Sequence, residues 1–343
     1  MSTRTAKPIL YGDRKRWGLV QADALDLLRQ LPPHSADAAL IDPPYSLDIA
    51  GHGWDGKDIR RAVANDGERL SAPEAFQRWT WGWALEAKRV LKPGAFIAVF
   101  GSPRTTHRAA AGLEDAGLEL RDTLMWMYGT GVPKTRRLSE GTLGTALKPT
   151  YEPVLILRAP LQKGCSVETN LKAWGTGALN IDAARVPISG YWPANVALSH
   201  GQLCTSQRCQ SDCPMALLGG ATPPASRLLF CAKASAAERE AGCQELPVRS
   251  AQIYRGKGRP ARIRANHHPT IKPSAVMRWL TRLLVPPGGL VLDPFAGSGS
   301  TGVAAMLEGR QFLGIERERE YVQVARARLT HWAAVAVQEE VLP

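Results

Sequence analysis

The feature that most constrains how this chain folds is a glycine cluster close to its C-terminus. A strand-like run, Leu290 to Asp293, leads into Asp293-Pro294-Phe295-Ala296-Gly297-Ser298-Gly299-Ser300-Thr301-Gly302, which opens a helix closed by Gly309, and a further strand ends at Glu316. Glycines at such a turn permit a tight bend and let a ligand approach the backbone at the helix N-terminus, while an acid at the tip of the next strand can bind two ribose hydroxyls. Glu316, 23 residues beyond Asp293, suits that role. Yet only 27 residues follow it, and two strands do not make a nucleotide-binding sheet. The missing strands must come from upstream, so the sheet is assembled in permuted order, its ligand half last.

The upstream half supplies them. Strands are expected at Trp17 to Gln21 and Asp37 to Ile41, with a helix from Ala24 to Gln30 after the first. Ser71 and Glu74 have the spacing of a capping box ahead of a long helix reaching Val90, which a Lys92-Pro93-Gly94 turn stops. A strand Ala95 to Phe100, a helix Thr105 to Ala116 with Gly117 just past its end, and strands Leu120 to Met127 and Val154 to Leu157 follow. The loop between those last strands, 129–150, carries Lys134, Arg136 and Arg137, and connections of that length inside a domain are usually functional. From 159 to 265 the periodicity dissolves into short pieces broken by Gly and Pro, which predicts an insertion, before a helix at Pro273 to Leu284 restores it. The expected fold class is therefore α/β: a Rossmann-like, mainly parallel sheet of seven strands, circularly permuted, in three stretches, 1–158, 159–265 and 266–343.

A chain of 343 residues with 44% hydrophobic content can bury a substantial core, and its formal net charge of +12 implies a polyanionic partner, with nucleic acid the leading candidate. No uninterrupted apolar run approaches the roughly 20 residues of a bilayer span, and Arg4 and Lys7 are followed by a polar stretch with no signal-peptide core, so a cytoplasmic address without membrane contact is expected. The six cysteines are then expected to be reduced.

Asp42-Pro43-Pro44-Tyr45 stands at the carboxyl end of the second strand, where open α/β sheets place their ligands. An exocyclic amine on a nucleic-acid base is a poor nucleophile because its lone pair is delocalised into the ring. The Asp42 carboxylate and the Pro43 carbonyl can each accept one of its hydrogens, pushing the nitrogen towards sp³ and aiming the lone pair at an electrophilic methyl. Two prolines stiffen the turn, and Tyr45 offers a flat face for a base swung out of the duplex. No metal and no covalent intermediate is needed.

With those two motifs in that order, the sequence resembles the β-group of DNA amino-methyltransferases. Gln21-Ala22-Asp23, Gly53-Trp54-Asp55, Lys148-Pro149-Thr150-Tyr151-Glu152 and His268-Pro269-Thr270-Ile271-Lys272-Pro273 extend the likeness across most of the chain. The resemblance implies a site-specific enzyme that moves a methyl group from S-adenosylmethionine to adenine N6 in double-stranded DNA, as monomer or homodimer, with a cognate restriction endonuclease as a candidate partner. It implies that Asp42, Pro43, Pro44 and Tyr45 form the catalytic motif. Asp42, Asp293, Phe295, Gly297, Ser298, Gly299 and Thr301 would lie against the cofactor, with Glu316 on its ribose and Asp23 near its adenine. Lys272 and Ser274 would flank the methionine end. A cytosine-N4 enzyme of the same fold, a nicotinamide-dependent oxidoreductase using the Gly297, Gly299, Gly302 spacing, and a catalytically silent DNA-binding protein are the alternatives.

The 159–265 insertion is the expected place for DNA reading. Arg255, Lys257, Arg259, Arg262 and Arg264 put five positive charges into eleven residues without an acid, a pattern suited to tracking phosphates. His200, Cys204, Cys209 and Cys213 fall within fourteen residues there, but no pair has the C-x₂-C spacing of most zinc knuckles. No metal is therefore expected, a zinc staple on those four being the alternative.

Overall fold

The computed structural model describes residues 9–13, 16–47, 53–64, 70–128, 145–185, 190–199, 213, 229–231, 234–251 and 262–341. Along the chain come β1 (Ile9–Tyr11), β2 (Trp17–Gln21), α1 (Ala24–Leu28), β3 (Ala36–Ile41), α2 (Lys57–Ala62), α3 (Ala72–Val90), β4 (Leu91–Phe100) and α4 (Thr106–Asp115). Next are β5 (Glu119–Tyr128), β6 (Tyr151–Arg158), α5 (Val167–Trp174), β7 (Val196–Ser199), β8 (Leu229–Cys231), α6 (Ala236–Glu240), β9 (Arg249–Ala251) and β10 (Arg262–Arg264). The last are α7 (Ser274–Leu284), β11 (Leu290–Asp293), α8 (Ser300–Leu307), β12 (Gln311–Glu316) and α9 (Arg319–Val341).

Local chemistry accounts for the main boundaries. The Glu74 carboxylate accepts hydrogen bonds from the Ser71 backbone N–H at 2.8 Å and from its hydroxyl at 2.7 Å, fixing the start of α3. Asp23 caps α1 by accepting from the N–H groups of Leu25 and Asp26. From Ala95 to Phe100, β4 is buried on both faces, the pattern of a strand inside a parallel sheet covered by helices.

The described strands form one sheet in the order β1-β2-β12-β11-β3-β4-β6-β5-β7-β8, with β9 and β10 as a separate antiparallel pair. In the large sheet only β1 and β6 run against the rest. The two halves of the permuted domain meet where β11 pairs parallel with β3, Val291 opposite Ala38 and Leu292 opposite Ala39. Alternate residues then serve opposite layers: Ala38 and Leu40 join the core under α7, α8 and α9, whereas Ala39 and Ile41 join the core under α1, α3 and α4. Each fully buried Leu or Ile in these cores contributes about 1.5–3 kcal/mol by leaving water. No described helix is long and apolar enough to cross a membrane.

Seven sheet strands were expected, and ten are found among the described residues. The additional strands are β1, which lies before the first expected one, and β7 and β8, which come from 159–265, so that stretch is not wholly separate from the sheet. β7 adds to the edge of β5, and the Trp126 indole N–H donates to the Ser199 hydroxyl at 2.8 Å between them. Strands of three or four residues are too short to show alternation in the sequence, so their periodicity is indistinguishable from irregular chain.

Candidate functional site

Past the carboxyl ends of β12, β11 and β3 lies a cavity of about 550 Å³. Asp42 follows β3 directly and lines it, together with Pro43 and Pro44. The turn is held from behind by a residue whose role no sequence pattern reveals. Asp55, fully buried in a short 3₁₀ turn (Gly53–Asp55), accepts the N–H groups of Tyr45 at 2.7 Å, Ser46 at 2.9 Å and Leu47 at 3.1 Å. The Thr105 hydroxyl donates to the Tyr45 carbonyl at 2.8 Å. Three charge-assisted bonds to one buried carboxylate fix the backbone of residues 45–47, just past Asp42.

Asp42 itself has two partners. Tyr45 donates its hydroxyl to Oδ1 at 2.6 Å, and the Lys272 ammonium donates to Oδ2 at 2.6 Å. Lys272 is only 5% exposed; burial works against its charge, but the carboxylates of Asp42 and Glu152 outweigh that and raise its pKa above the ordinary lysine value. Its Nζ also lies 5.0 Å from the Phe100 ring centroid and 5.6 Å from that of Tyr45. Burial, followed by the charges of Asp42 and Glu152, pushes the Tyr45 phenol well above its usual value. Tyr45 was expected to present a stacking face; its hydroxyl is on Asp42, and the ring is outside the cavity lining.

The glycine turn, which also borders the cavity, is braced by three buried groups. Glu316 accepts the Gly297 N–H through Oε2 and the Glu318 N–H through Oε1, both at 2.8 Å, and burial raises its pKa to about 7. Asp293 accepts the Phe295 N–H at 3.0 Å and is likewise raised by burial to about 7. Arg328, from α9 and 1% exposed, donates through Nη1 to the Ser298 carbonyl at 2.6 Å and to the hydroxyls of Ser298 and Ser300 at 3.1 and 3.2 Å. Gly297 has φ +51°, and a Cβ there would come within 2.8 Å of His268 Nε2, so glycine is required on both counts. His268 is buried, which lowers its pKa to about 4 and leaves it neutral at pH 7; Nδ1 pairs with the Thr270 carbonyl at 2.9 Å.

The cavity brings together Asp23, Asp42, Lys272, Asp293, Phe295, Gly297, Ser298, Thr301 and Glu316 of the residues singled out in the sequence. Asp23 both caps α1 and borders the cavity. Of those expected against the cofactor, two are not among the lining, and Tyr45 is not either. Gly299 caps α8 with φ +76°, and its Cβ position faces Leu329 and Ala325 of α9 at 3.3–3.4 Å. Ser274 begins α7, its N–H donating to Glu238 at 2.6 Å. An aromatic wall was not anticipated: Trp79 and Trp83, one helical turn apart on α3, pack on Phe295 with ring centroids 5.4 and 5.6 Å away. The Trp79, Trp81, Trp83 run was its signal.

Lys134, Arg136, Arg137, Arg255, Lys257, Arg259, His200, Cys204 and Cys209 lie outside the described residues. Arg264 is on β10, as is the backbone of Arg262, and Cys213 is buried. No group of three His, Cys, Asp or Glu side chains is placed to hold a metal among the described residues.

The site thus offers an aromatic surface, a buried carboxylate with lone pairs left for two hydroxyls, and a lysine–aspartate pair. That set suits a nucleoside carrying a charged tail, beside a carboxylate able to polarise an incoming N–H donor. A family model described as DNA methylase, of the N6/N4 type, matches residues 36–327. Type II methyltransferase M2.DpnII of Streptococcus pneumoniae is 23% identical over 323 residues, covering 93% of this chain and 91% of that protein. Type II methyltransferase M2.LlaDCHI of Lactococcus lactis subsp. cremoris is 23% identical over 327 residues, covering 94% and 93%. Among solved structures, PvuII DNA methyltransferase, described as cytosine-N4-specific, shares the fold with a TM-score of 0.54 at 16% identity, over 94% of this chain and 93% of that one.

Proposed function

The chain belongs to the N6/N4 DNA methylase family, and from that premise we propose that it methylates the N6 amino group of adenine in double-stranded DNA, with S-adenosylmethionine as donor. The observation that carries this reading is the Asp42 carboxylate, held rigidly at the border of a cavity whose other wall suits a nucleoside.

The cavity fits the donor chemically. Phe295, backed by Trp79 and Trp83, gives the adenine ring an aromatic face, and Glu316 keeps acceptor capacity for the ribose hydroxyls beyond its two backbone bonds. Asp23 and Lys272 border the same cavity. When bound, S-adenosylmethionine supplies a methyl group made electrophilic by its sulfonium sulfur. The protein's own part is to prepare the nucleophile. Asp42 and the Pro43 carbonyl accept the two amino hydrogens of the target base, drawing its lone pair out of the ring and towards the cofactor cavity, and Asp55 holds the chain that follows them. A carboxylate is a stronger acceptor than a serine hydroxyl, which suits an amine conjugated with a purine and favours adenine over cytosine.

Digesting DNA methylated by the protein to nucleosides, followed by mass spectrometry, tests the reading. N6-methyladenine is expected; N4-methylcytosine alone would overturn the target while leaving the acceptor chemistry intact.

A further inference from the structure

The acceptor role of Asp42, on which this inference rests, meets an obstacle in the site itself. Both Asp42 oxygens are engaged, Oδ1 by the Tyr45 hydroxyl and Oδ2 by Lys272, each at 2.6 Å. Each oxygen still has a lone pair, but while the ammonium stays on Oδ2 it draws on the same charge, so an amino hydrogen of the base is accepted more weakly. If Lys272 let go with nowhere to bind, a buried ammonium would be left without a counter-charge, which is strongly unfavourable.

A second seat exists. Glu152, near the start of β6, brings Oε2 to 3.4 Å from Lys272 Nζ and 3.4 Å from the Tyr45 hydroxyl, and the Tyr128 phenol hydrogen-bonds to the same carboxylate. Among the described residues, Asp42 and Glu152 are the carboxylates within ion-pair reach of Lys272. Asp42 and Lys272 line the cavity, but Glu152, Tyr45 and Tyr128 do not. A shift of Nζ by roughly half an ångström would bring it to the usual charge-assisted distance from Glu152.

We propose that Glu152 is a positioning residue that takes up the Lys272 ammonium when the target amine engages Asp42. The cluster then keeps the same charges throughout: two carboxylates and one ammonium are present with or without the base, and only the partner of the ammonium changes. Asp42, relieved of Lys272, becomes a stronger acceptor at the step where the amine must be polarised. Tyr128 holds Glu152 in register, and Tyr45 stays on Oδ1 as the fixed donor.

The test compares Glu152→Gln, which keeps shape and an acceptor oxygen but loses the charge, with Glu152→Asp, which keeps the charge. Methyl incorporation into unmethylated DNA gives kcat and KM, calorimetry gives S-adenosylmethionine affinity, and the melting temperature reports folding. Glu152→Gln is expected to lower kcat on the order of tenfold or more, with KM and cofactor affinity changed by no more than about twofold, and Glu152→Asp to recover much of the loss. Wild-type kcat in the Gln variant, an equal loss in both variants, or a loss confined to KM would overturn the proposal. A readout independent of turnover covers a Gln variant that fails to fold. In the wild-type protein crystallised with DNA carrying its target base in the site, Lys272 Nζ is expected on Glu152, and Nζ still on Asp42 beside a bound amine would sink the idea. Asp42→Asn, assayed in parallel, separates the two levels of argument. Full activity there would remove the Asp42 mechanism itself, whatever Glu152 does.

Discussion

Asp42 sits between a phenol and an ammonium, and removing its charge should cost the reaction far more than it costs the cofactor. Asp42→Ala is expected to abolish detectable methyl transfer while S-adenosylmethionine affinity, read by calorimetry, stays within about tenfold, because Lys272 retains Glu152 nearby. A parallel collapse of cofactor binding would place Asp42 on the wrong side of the division of labour. Glu316 gives a prediction in pH. Burial raises its carboxyl to about 7, above the ordinary value of 4.5, so the stability it contributes is present below that ordinary value and is lost as pH rises through about 7. Ribose hydroxyls donating to Glu316 favour its charged form, so binding should release protons and tighten between about pH 6 and 8. Asp293, also at about 7, titrates in the same window, which makes Glu316→Gln against Asp293→Asn the informative pair. Calorimetry in buffers of different ionisation enthalpy should show proton release in the wild type and in Asp293→Asn, and much less in Glu316→Gln; no release in the wild type would remove Glu316 from the ribose. Single residues were legible unevenly, for a physical reason. Asp42 and Glu316 announce themselves because each ends a strand next to a turn of prolines or glycines. Asp55 and Glu152 act through bonds to residues 8 to 120 positions away, and no local pattern marks such a bond.

At the scale of elements, the turn between β11 and α8 depends on α9 lying behind it. Arg328 is 1% exposed, has no ion-pair partner among the described residues, and spends Nη1 on Ser298 and Ser300. Burial pulls its pKa below the usual arginine value, the signature of a charge kept inside at a cost, and its bonds all go to the segment that borders the cavity. Arg328→Met, close in volume and unable to donate, is expected to weaken S-adenosylmethionine binding by roughly tenfold to a hundredfold, as loss of bonds from a charged donor would. Arg328→Lys should recover part of that. Unchanged affinity in the Met variant would make Arg328 a packing residue only. The elements themselves were legible where a capping box, a proline or a glycine turn marks an end: α3, β3, β11 and α7 fall within a residue or so of their expected bounds. β7 and β8 were missed because short strands at a sheet edge owe their form to the neighbour they pair with, β5 for β7 and β7 for β8, more than to their own sequence.

For the molecule as a whole, the permuted order brings its two halves together at one line, the β11–β3 pairing, so that residues more than 200 positions apart, Asp42 and Lys272, share a proton-donating contact. DNA must then be delivered to that line by the rest of the surface, and the net charge of +12 supplies the long-range attraction. The β9–β10 ribbon carries part of it. Arg264 stands opposite Arg249 across the ribbon, and like charges so placed repel unless anions intervene; Glu320 of α9 accepts Arg249 at 2.9 Å, which leaves the Arg264 side for an anion from outside. A phosphate backbone tracked by Arg262, Arg264 and the intervening Arg255, Lys257 and Arg259 would meet that need. Binding of this kind releases counterions, so the logarithm of the association constant should fall linearly with the logarithm of salt concentration, and removing one phosphate interaction should flatten the slope by about 0.9. Replacing those five residues by neutral ones is therefore expected to weaken binding across unrelated DNA sequences and to reduce the salt slope by several units, measured by fluorescence anisotropy from low to physiological salt. Arg249→Gln, whose charge is already committed to Glu320, should leave the slope nearly unchanged and serves as the control. An unaltered slope in the fivefold variant would move the phosphate-binding surface away from the ribbon, and an equal change in the control would mean that the effect belongs to overall charge.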